Sequence, residues 1–379
     1  MAKSKISRPV KSRSYILIIM LSIGIIACSK SKSVIPEPPV KTRPTNLAQY
    51  NLVTEGLKDY YTSNEYFNLG AAIKPTTVDN PDEVKLLKRH FNSLTAENVM
   101  KWSTLQPTEG TFRFDDADKI VAFAQANGMQ VRGHNLCWHN QVPDWIFKDG
   151  AATASKELVL QRLRTHINTV MTHFKGKVYA WDVVNEAIAD GSDTYRASKW
   201  YGICGEDYII EAFRAARLAD PAAKLFYNDY SETNPTKRDK IYTLLNKLKG
   251  LNLVDGIGMQ GHWNISAPSN ELIIDAFDKY KSLGIDIQIT EFDVSVYTSD
   301  SDSQSPYSTD LAQKQAVAYG RYFSLFRTYK NNISSITFWG LADNYTWLDN
   351  FPVTGRKNYP FLFDESYNPK QSYFTVINF

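Results

Sequence analysis

The sequence predicts an α/β protein folded as a single (β/α)8 barrel, and three observations predict it. Past residue 48, short runs rich in β-branched and aromatic residues alternate with segments of helical character, the order expected of βα units joined into a parallel sheet. Eight such runs occur, the number that closes a barrel of this kind. Their polar residues gather at the carboxyl ends, the face on which such barrels build active sites.

The first 48 residues stand apart from that alternation. Lys3, Lys5, Arg8, Lys11 and Arg13 precede an apolar stretch from Tyr15 to Ala27 that is too short to span a bilayer comfortably, so residues 1–27 are expected to be a signal peptide. The stretch ends Ile25-Ile26-Ala27-Cys28, which resembles a bacterial lipobox. That resemblance implies lipidation of Cys28, attachment to a membrane, and export as an outer-membrane lipoprotein facing the periplasm or the cell surface. Residues 28–48 are rich in Ser, Lys and Pro, with Pro36, Pro38, Pro39 and Pro44 favouring extended backbone, and read as a tether ahead of a catalytic domain at 49–379. Taking those five cations from the formal charge of +3 leaves −2, and a mature chain of that balance has no general electrostatic attraction to nucleic acid. Beyond Cys28 only Cys137 and Cys204 remain, and spacing alone leaves their pairing open.

The strands are expected at residues 68–73, 93–98, 130–138, 180–187, 224–230, 256–263, 285–293 and 334–343. Between them, 115–127 and 206–219 have acidic starts and end before Gly128 and Pro221, and 310–329 has the same amphipathic character. A doubly wound sheet would want a glycine-rich phosphate turn after an early strand, and none is present, so no nucleotide cofactor is expected. Residues 298–308, rich in Ser and Asp, read as a mobile loop after the seventh strand.

Two strand ends carry the chemistry. In the fourth, Val183-Val184 gives way to Asn185-Glu186; in the seventh, Ile287 to Thr290 gives way to Glu291-Phe292-Asp293. A lone Glu at a strand end is usually a structural ion pair, but two on one rim supply the acid and the nucleophile that cleavage of a glycosidic bond requires. His134, His139 and His262 lack metal-site spacing, and no Gly-x-Ser-x-Gly turn is present, so neither a metalloenzyme nor a serine hydrolase is favoured.

Several longer motifs then occur in strand order: Thr95-Ala96-Glu97-Asn98-Val99-Met100-Lys101-Trp102, Arg132-Gly133-His134 through Trp138-His139, Trp181-Asp182-Val183-Val184-Asn185-Glu186-Ala187, Asn228-Asp229-Tyr230, Gln260-Gly261-His262 and Ile289-Thr290-Glu291-Phe292-Asp293. From residue 51 onward the chain resembles glycoside hydrolase family 10. The resemblance implies a retaining endo-1,4-β-xylanase, monomeric and without cofactor or metal, acting on xylan and xylo-oligosaccharides with Glu186 as acid/base and Glu291 as nucleophile. Retention requires the two carboxyl groups roughly 5–5.5 Å apart, and the charge on Glu291 should keep Glu186 protonated until the sugar ester forms. By the same resemblance Asn185 binds the 2-hydroxyl of the reacting xylose, Gln260 and His262 orient Glu291, and Asp293 holds His262. Glu97, Asn98 and Lys101 hold the neighbouring xylose, His134 and Trp138 floor the reacting subsite with Gln141 a candidate sugar ligand nearby, Asn228 and Tyr230 join the sugar ligands, and Trp339 and Trp347 form the roof. A cellulase, a mannanase, or a xylan-binding lipoprotein without activity are the competing readings. Both glutamates and their supporting residues argue against the last, and the set Glu97, Asn98 and Lys101 favours xylose over larger pyranoses.

Overall fold

The computed structural model describes residues 43–379; the expected signal peptide, Cys28 and most of the tether lie outside the described residues. Eight strands form the barrel: β1 (Asn68–Ile73), β2 (Ser93–Ala96), β3 (Gln130–Cys137), β4 (Ala180–Asn185), β5 (Lys224–Asp229), β6 (Gly256–Met259), β7 (Asp286–Ser295) and β8 (Ile333–Phe338). Each pairs in parallel with the next, and β8 pairs with both β7 and β1, so the sheet has no open edge. A helix follows each strand, α1 (Pro81–His90), α2 (Asp115–Ala126), α3 (Lys156–His173), α4 (Asp207–Ala219), α5 (Pro235–Gly250), α6 (Asn270–Lys281), α7 (Thr309–Thr328) and α8 (Gln371–Ile377).

The helices start where local chemistry satisfies their free amides. Ser155, Ser269 and Ser308 each accept from the N–H three residues on, and Asn80 and Asn234 do the same ahead of a proline at the first helical position. Their apolar faces close over the strands in one continuous core. At the other end of the chain, Arg43 donates to the carbonyls of Ile377 and Phe379 at 2.7 and 2.8 Å, which fastens residues 43–48 to the carboxyl terminus.

The inside of the barrel is not wholly apolar. Arg132 on β3 is fully buried and grips Asp182 on β4 with two hydrogen bonds of 2.8 and 3.2 Å, while its Nε donates to Gln288 on β7 at 2.6 Å. This buried ion pair forms a floor beneath the rim residues, because side chains two apart on a strand share a face.

One expectation is corrected. The run at 256–263 is not one strand: Gly261 takes φ +74, which ends β6 after Met259 and lets His262–Asn264 pair instead with Asp293–Ser295 of β7. The start of the 298–308 loop is held by hydrogen bonds. Arg356 donates to the carbonyls of Ser299, Asp300 and Asp302, and Asp302 accepts from the amides of Thr298 and Ser299. Cys137 and Cys204 are both buried free thiols.

Candidate active site

The carboxyl ends of the strands open into a cleft of about 870 Å³. Its wall includes Glu97, Asn98, Lys101, His134, Trp138, Asn185, Glu186, Tyr230, Gln260, His262, Glu291, Trp339 and Trp347, so thirteen of the residues singled out in the sequence meet in one place. Both glutamates face that space. The barrel delivers them from β4 and β7, and neither would reach the other without the closed sheet.

Glu291 sits within β7, and burial alone would raise its pKa. Three partners reverse that. Asn228 donates to Oε1 at 2.7 Å, His262 Nε2 lies 3.3 Å from Oε2, and His134 Nδ1 lies 3.9 Å from Oε1, so the carboxyl is held below its ordinary range, with the charges of His134 and His262 the main opposing causes. His262 is itself clamped: Nδ1 faces Asp293 Oδ2 at 2.9 Å, and with a carboxylate on each nitrogen its pKa rises to about 10 although burial opposes it. At neutral pH it is therefore an imidazolium donating from both nitrogens.

Glu186 is placed differently. β4 ends at Asn185, and Glu186 adopts a left-handed backbone with φ +57, a conformation that costs a non-glycine residue on the order of 1–3 kcal/mol and persists only where neighbours enforce it. Its N–H donates to the carbonyl of Asn228 at 2.9 Å. The turn lifts the carboxyl off the strand and into neutral donors: Trp138 Nε1 to Oε2 at 2.9 Å, Gln260 Nε2 to Oε1 at 2.9 Å and Asn185 Nδ2 to Oε1 at 3.3 Å.

Several assignments change in detail. Gln260, expected to orient Glu291, turns its side chain to Glu186 and offers Glu291 only its backbone carbonyl, to which the Glu291 N–H donates at 2.8 Å. Asn228, expected among the sugar ligands, is fully buried behind the carboxylates: its one Nδ2 donates to Asn185 and Glu291 while its Oδ1 accepts from Thr290. It fits there because the facing position on β6 is Gly258, where a Cβ would stand 2.3 Å from Asn228 Oδ1. Gln141 lies outside the cleft wall, exposed and with φ +45, its amide 3.4 Å from Asn98 Oδ1. Trp138 serves Glu186 through its indole N–H as well as forming floor.

The remaining residues build the two flanks. Lys101 donates to Asn98 Oδ1 at 2.9 Å, and burial lowers its pKa against the pull of Glu291, Glu97 and Glu186. Glu97 accepts from the hydroxyl of Tyr345 at 2.9 Å, which joins the β2 and β8 sides of the cleft. Tyr230 donates to Asp190 at 2.5 Å. Trp339 meets His134 edge to face at 5.1 Å, and Trp347 lies 4.7 Å from His262 with its Nε1 donating to Asp293 Oδ2 at 2.9 Å. The sequence reading missed the Arg132 and Asp182 floor, although a buried Asp inside the apolar Trp181-Asp182-Val183 run was its signal. His139, weighed only as a metal ligand, stands with Nδ1 3.9 Å from Glu186 Oε2.

Residues 56–379 match the model of glycosyl hydrolase family 10. Endo-1,4-beta-xylanase B of Paenibacillus barcinonensis is 49% identical over 317 residues, which cover 82% of this chain and 95% of that relative. An endo-1,4-beta-xylanase of Geobacillus stearothermophilus is 48% identical over 318 residues, with the same shares covered, 82% and 95%. Among solved structures, xylanase XynB from Paenibacillus barcinonensis, complexed with a conduramine derivative, superposes with a TM-score of 0.82 at 47% identity, over 85% of this chain and 98% of that one. With an eight-stranded closed barrel, two rim glutamates in the expected motifs, and relatives this similar over nearly their whole length, the chain belongs to glycosyl hydrolase family 10.

Proposed function

We propose that this protein is a retaining endo-1,4-β-xylanase that cuts the xylan backbone by double displacement. One observation carries the assignment of roles. Glu291 is held below its ordinary range by His134 and His262 beside it and so stands ready as the nucleophile, whereas Glu186 takes its hydrogen bonds only from the neutral Trp138, Gln260 and Asn185 and is the carboxyl left for proton transfer. In the first step Glu291 attacks the anomeric carbon as Glu186 gives its proton to the departing glycosidic oxygen, leaving a xylosyl ester. In the second, Glu186 takes a proton from water, whose oxygen displaces Glu291 from the same carbon. Asn185 Nδ2 gives one hydrogen to Glu186 and offers the other to the 2-hydroxyl, and Glu97, Asn98 and Lys101 hold the next xylose on the non-reducing side. The names of the relatives, both endo-1,4-beta-xylanases, support the same substrate.

The test is product analysis on xylan beside cellulose and mannan. Wild type is expected to release xylo-oligosaccharides from xylan alone; Glu291→Ala is expected to abolish turnover, and Glu186→Ala to act only on substrates whose leaving group needs no proton. Wild-type rates in both variants would overturn the assignment of roles, and equal hydrolysis of the three polymers would overturn the substrate.

The same proposal places the enzyme at a membrane as an exported monomeric lipoprotein anchored through Cys28, supported by the cations, the apolar stretch and the Ala27-Cys28 pair. Radiolabelled palmitate should enter the wild type and not Cys28→Ala, which should be recovered free of membranes.

A further inference from the structure

We propose that Arg196 is a positioning residue for the acid/base, pinning the left-handed turn at Glu186 and so fixing where its carboxyl meets the glycosidic oxygen. The proposal rests on Glu186 being the acid/base. The turn is held at each of its peptide groups. The Glu186 N–H goes to the carbonyl of Asn228 at 2.9 Å, and the hydroxyl of Tyr227 accepts the N–H groups of Ala187 and Ile188, both at 3.0 Å. All three of those bonds go to residues of β5. The Glu186 carbonyl is taken from another quarter: Arg196 Nε donates to it at 2.9 Å.

That contact is built rather than incidental. The Arg196 N–H donates to the Ala187 carbonyl at 2.8 Å, and Ile188 bridges Tyr195, so the segment from 186 to 196 closes back on its own start. The guanidinium is fixed at its far side as well: Nη2 donates to the Tyr230 hydroxyl at 2.7 Å and lies 3.5 Å from Asp190. Asp190 accepts from Lys237 at 2.8 Å, and the same ammonium lies 2.8 Å from Asp229, the residue following Asn228 on β5. The strand that takes the Glu186 amide therefore also anchors, through Lys237, Asp190 and Tyr230, the arginine that takes its carbonyl. A left-handed non-glycine residue relaxes toward extended backbone when such bonds are removed, and the relaxation would carry the Glu186 carboxyl away from Trp138 and Gln260. Only steps in which a proton moves at Glu186 would suffer.

The experiment is steady-state kinetics of Arg196→Lys and Arg196→Met on aryl β-xylobiosides whose phenols range from strongly to weakly acidic, with and without azide. The expected result is a fall in kcat/KM of about tenfold or more for weakly acidic phenols, part of the roughly 10²–10⁴ that positioned general acid catalysis supplies, with kcat/KM for the dinitrophenol unchanged. For the dinitrophenol kcat should fall, because the second step lacks its base, and azide should restore it. Azide needs no deprotonation: its terminal nitrogen bonds to the anomeric carbon as the ester bond to Glu291 breaks and the electron pair returns to the carboxylate, giving a xylobiosyl azide. Arg196→Lys, which keeps a cation but loses the fork, should fall between wild type and Arg196→Met. Equal losses for every phenol, a rise in KM alone, or no response to azide would overturn the proposal. Glu186→Ala run in parallel separates the two readings. If it shows the leaving-group and azide signature while the Arg196 variants do not, only the present proposal fails; if it lacks the signature, the role of Glu186 fails first.

Discussion

His262 presents Nε2 to Glu291 at 3.3 Å while its Nδ1 meets Asp293 at 2.9 Å, so one imidazolium links the reacting carboxylate to a second, buried one. The pH behaviour follows from its pKa, which is raised from about 6.5 to about 10. A group whose pKa is higher folded than unfolded contributes its full stability below the unfolded value and loses it as pH climbs through the folded one. The melting temperature should therefore decline between about pH 6.5 and 10, and His262→Gln should flatten that part of the profile. The same variant removes a cation that holds Glu291 low, so the acidic limb of kcat/KM should move to higher pH by about one to three pH units. An unmoved limb would mean that the ring only packs.

Asn228 allows a complementary test, since it touches both carboxylate neighbourhoods without lining the cleft. Asn228→Asp keeps the shape but replaces the shared donor with an oxygen and, when ionised, a like charge beside Glu291 Oε1. Kcat/KM should drop for good and poor leaving groups alike, because the nucleophile is the group disturbed. Stability should fall by about 1–3 kcal/mol from the lost buried hydrogen bonds. Thermal melts and a leaving-group series check both parts, and a loss confined to poor leaving groups would contradict the placement.

What the sequence revealed and what it hid divides along physical lines. The switches from Val183-Val184 to Asn185-Glu186 and from Thr290 to Glu291 are visible because an apolar run gives way to a carboxylate at the rim. The left-handed turn at Glu186 is not, since nothing in a Glu announces positive φ and the bonds that enforce it come from β5, some 40 residues on. The break after Met259 was signalled only by Gly261, whose freedom to turn shows in its conformation and not in its neighbours. Partner choice was the hardest: Gln260 directly follows β6 on the cleft rim, yet whether its amide reaches Glu186 or Glu291 depends on which glutamate leaves its strand.

The floor of the barrel predicts a stability effect. Arg132 and Asp182 are fully buried, and the arginine with His134 holds the Asp182 carboxyl below its ordinary range against the cost of burial. Because that pKa is depressed, the contribution is present above about pH 3.8 and is lost as pH falls through the folded value. Arg132→Met leaves Asp182 charged and without its main partner, and should cost about 3–5 kcal/mol, read as a lower midpoint in urea. Pairing it with Asp182→Asn should recover part of the loss, because the stranded charge is then gone; a double variant no better than the single would show that packing, not charge, set the cost.

Trp347 combines two jobs that substitutions can separate. Its indole N–H donates to Asp293 Oδ2, the oxygen that also faces His262 Nδ1, and its ring stacks on Phe351 with centroids 5.2 Å apart and planes 21° from parallel. Trp347→Phe keeps an aromatic face over the cleft and removes the tether. A hydrogen bond to a charged group is worth about 1.5–3 kcal/mol, so Asp293 and with it His262 should loosen, and kcat should fall by about tenfold or more with little change in KM for xylo-oligosaccharides. Trp347→Ala removes the face as well and should add a rise in KM, because a pyranose ring then loses its apolar platform. The split between kcat and KM across the two variants is the measurement, and a Trp347→Phe enzyme with wild-type kcat would show that Asp293 holds His262 without help from the indole.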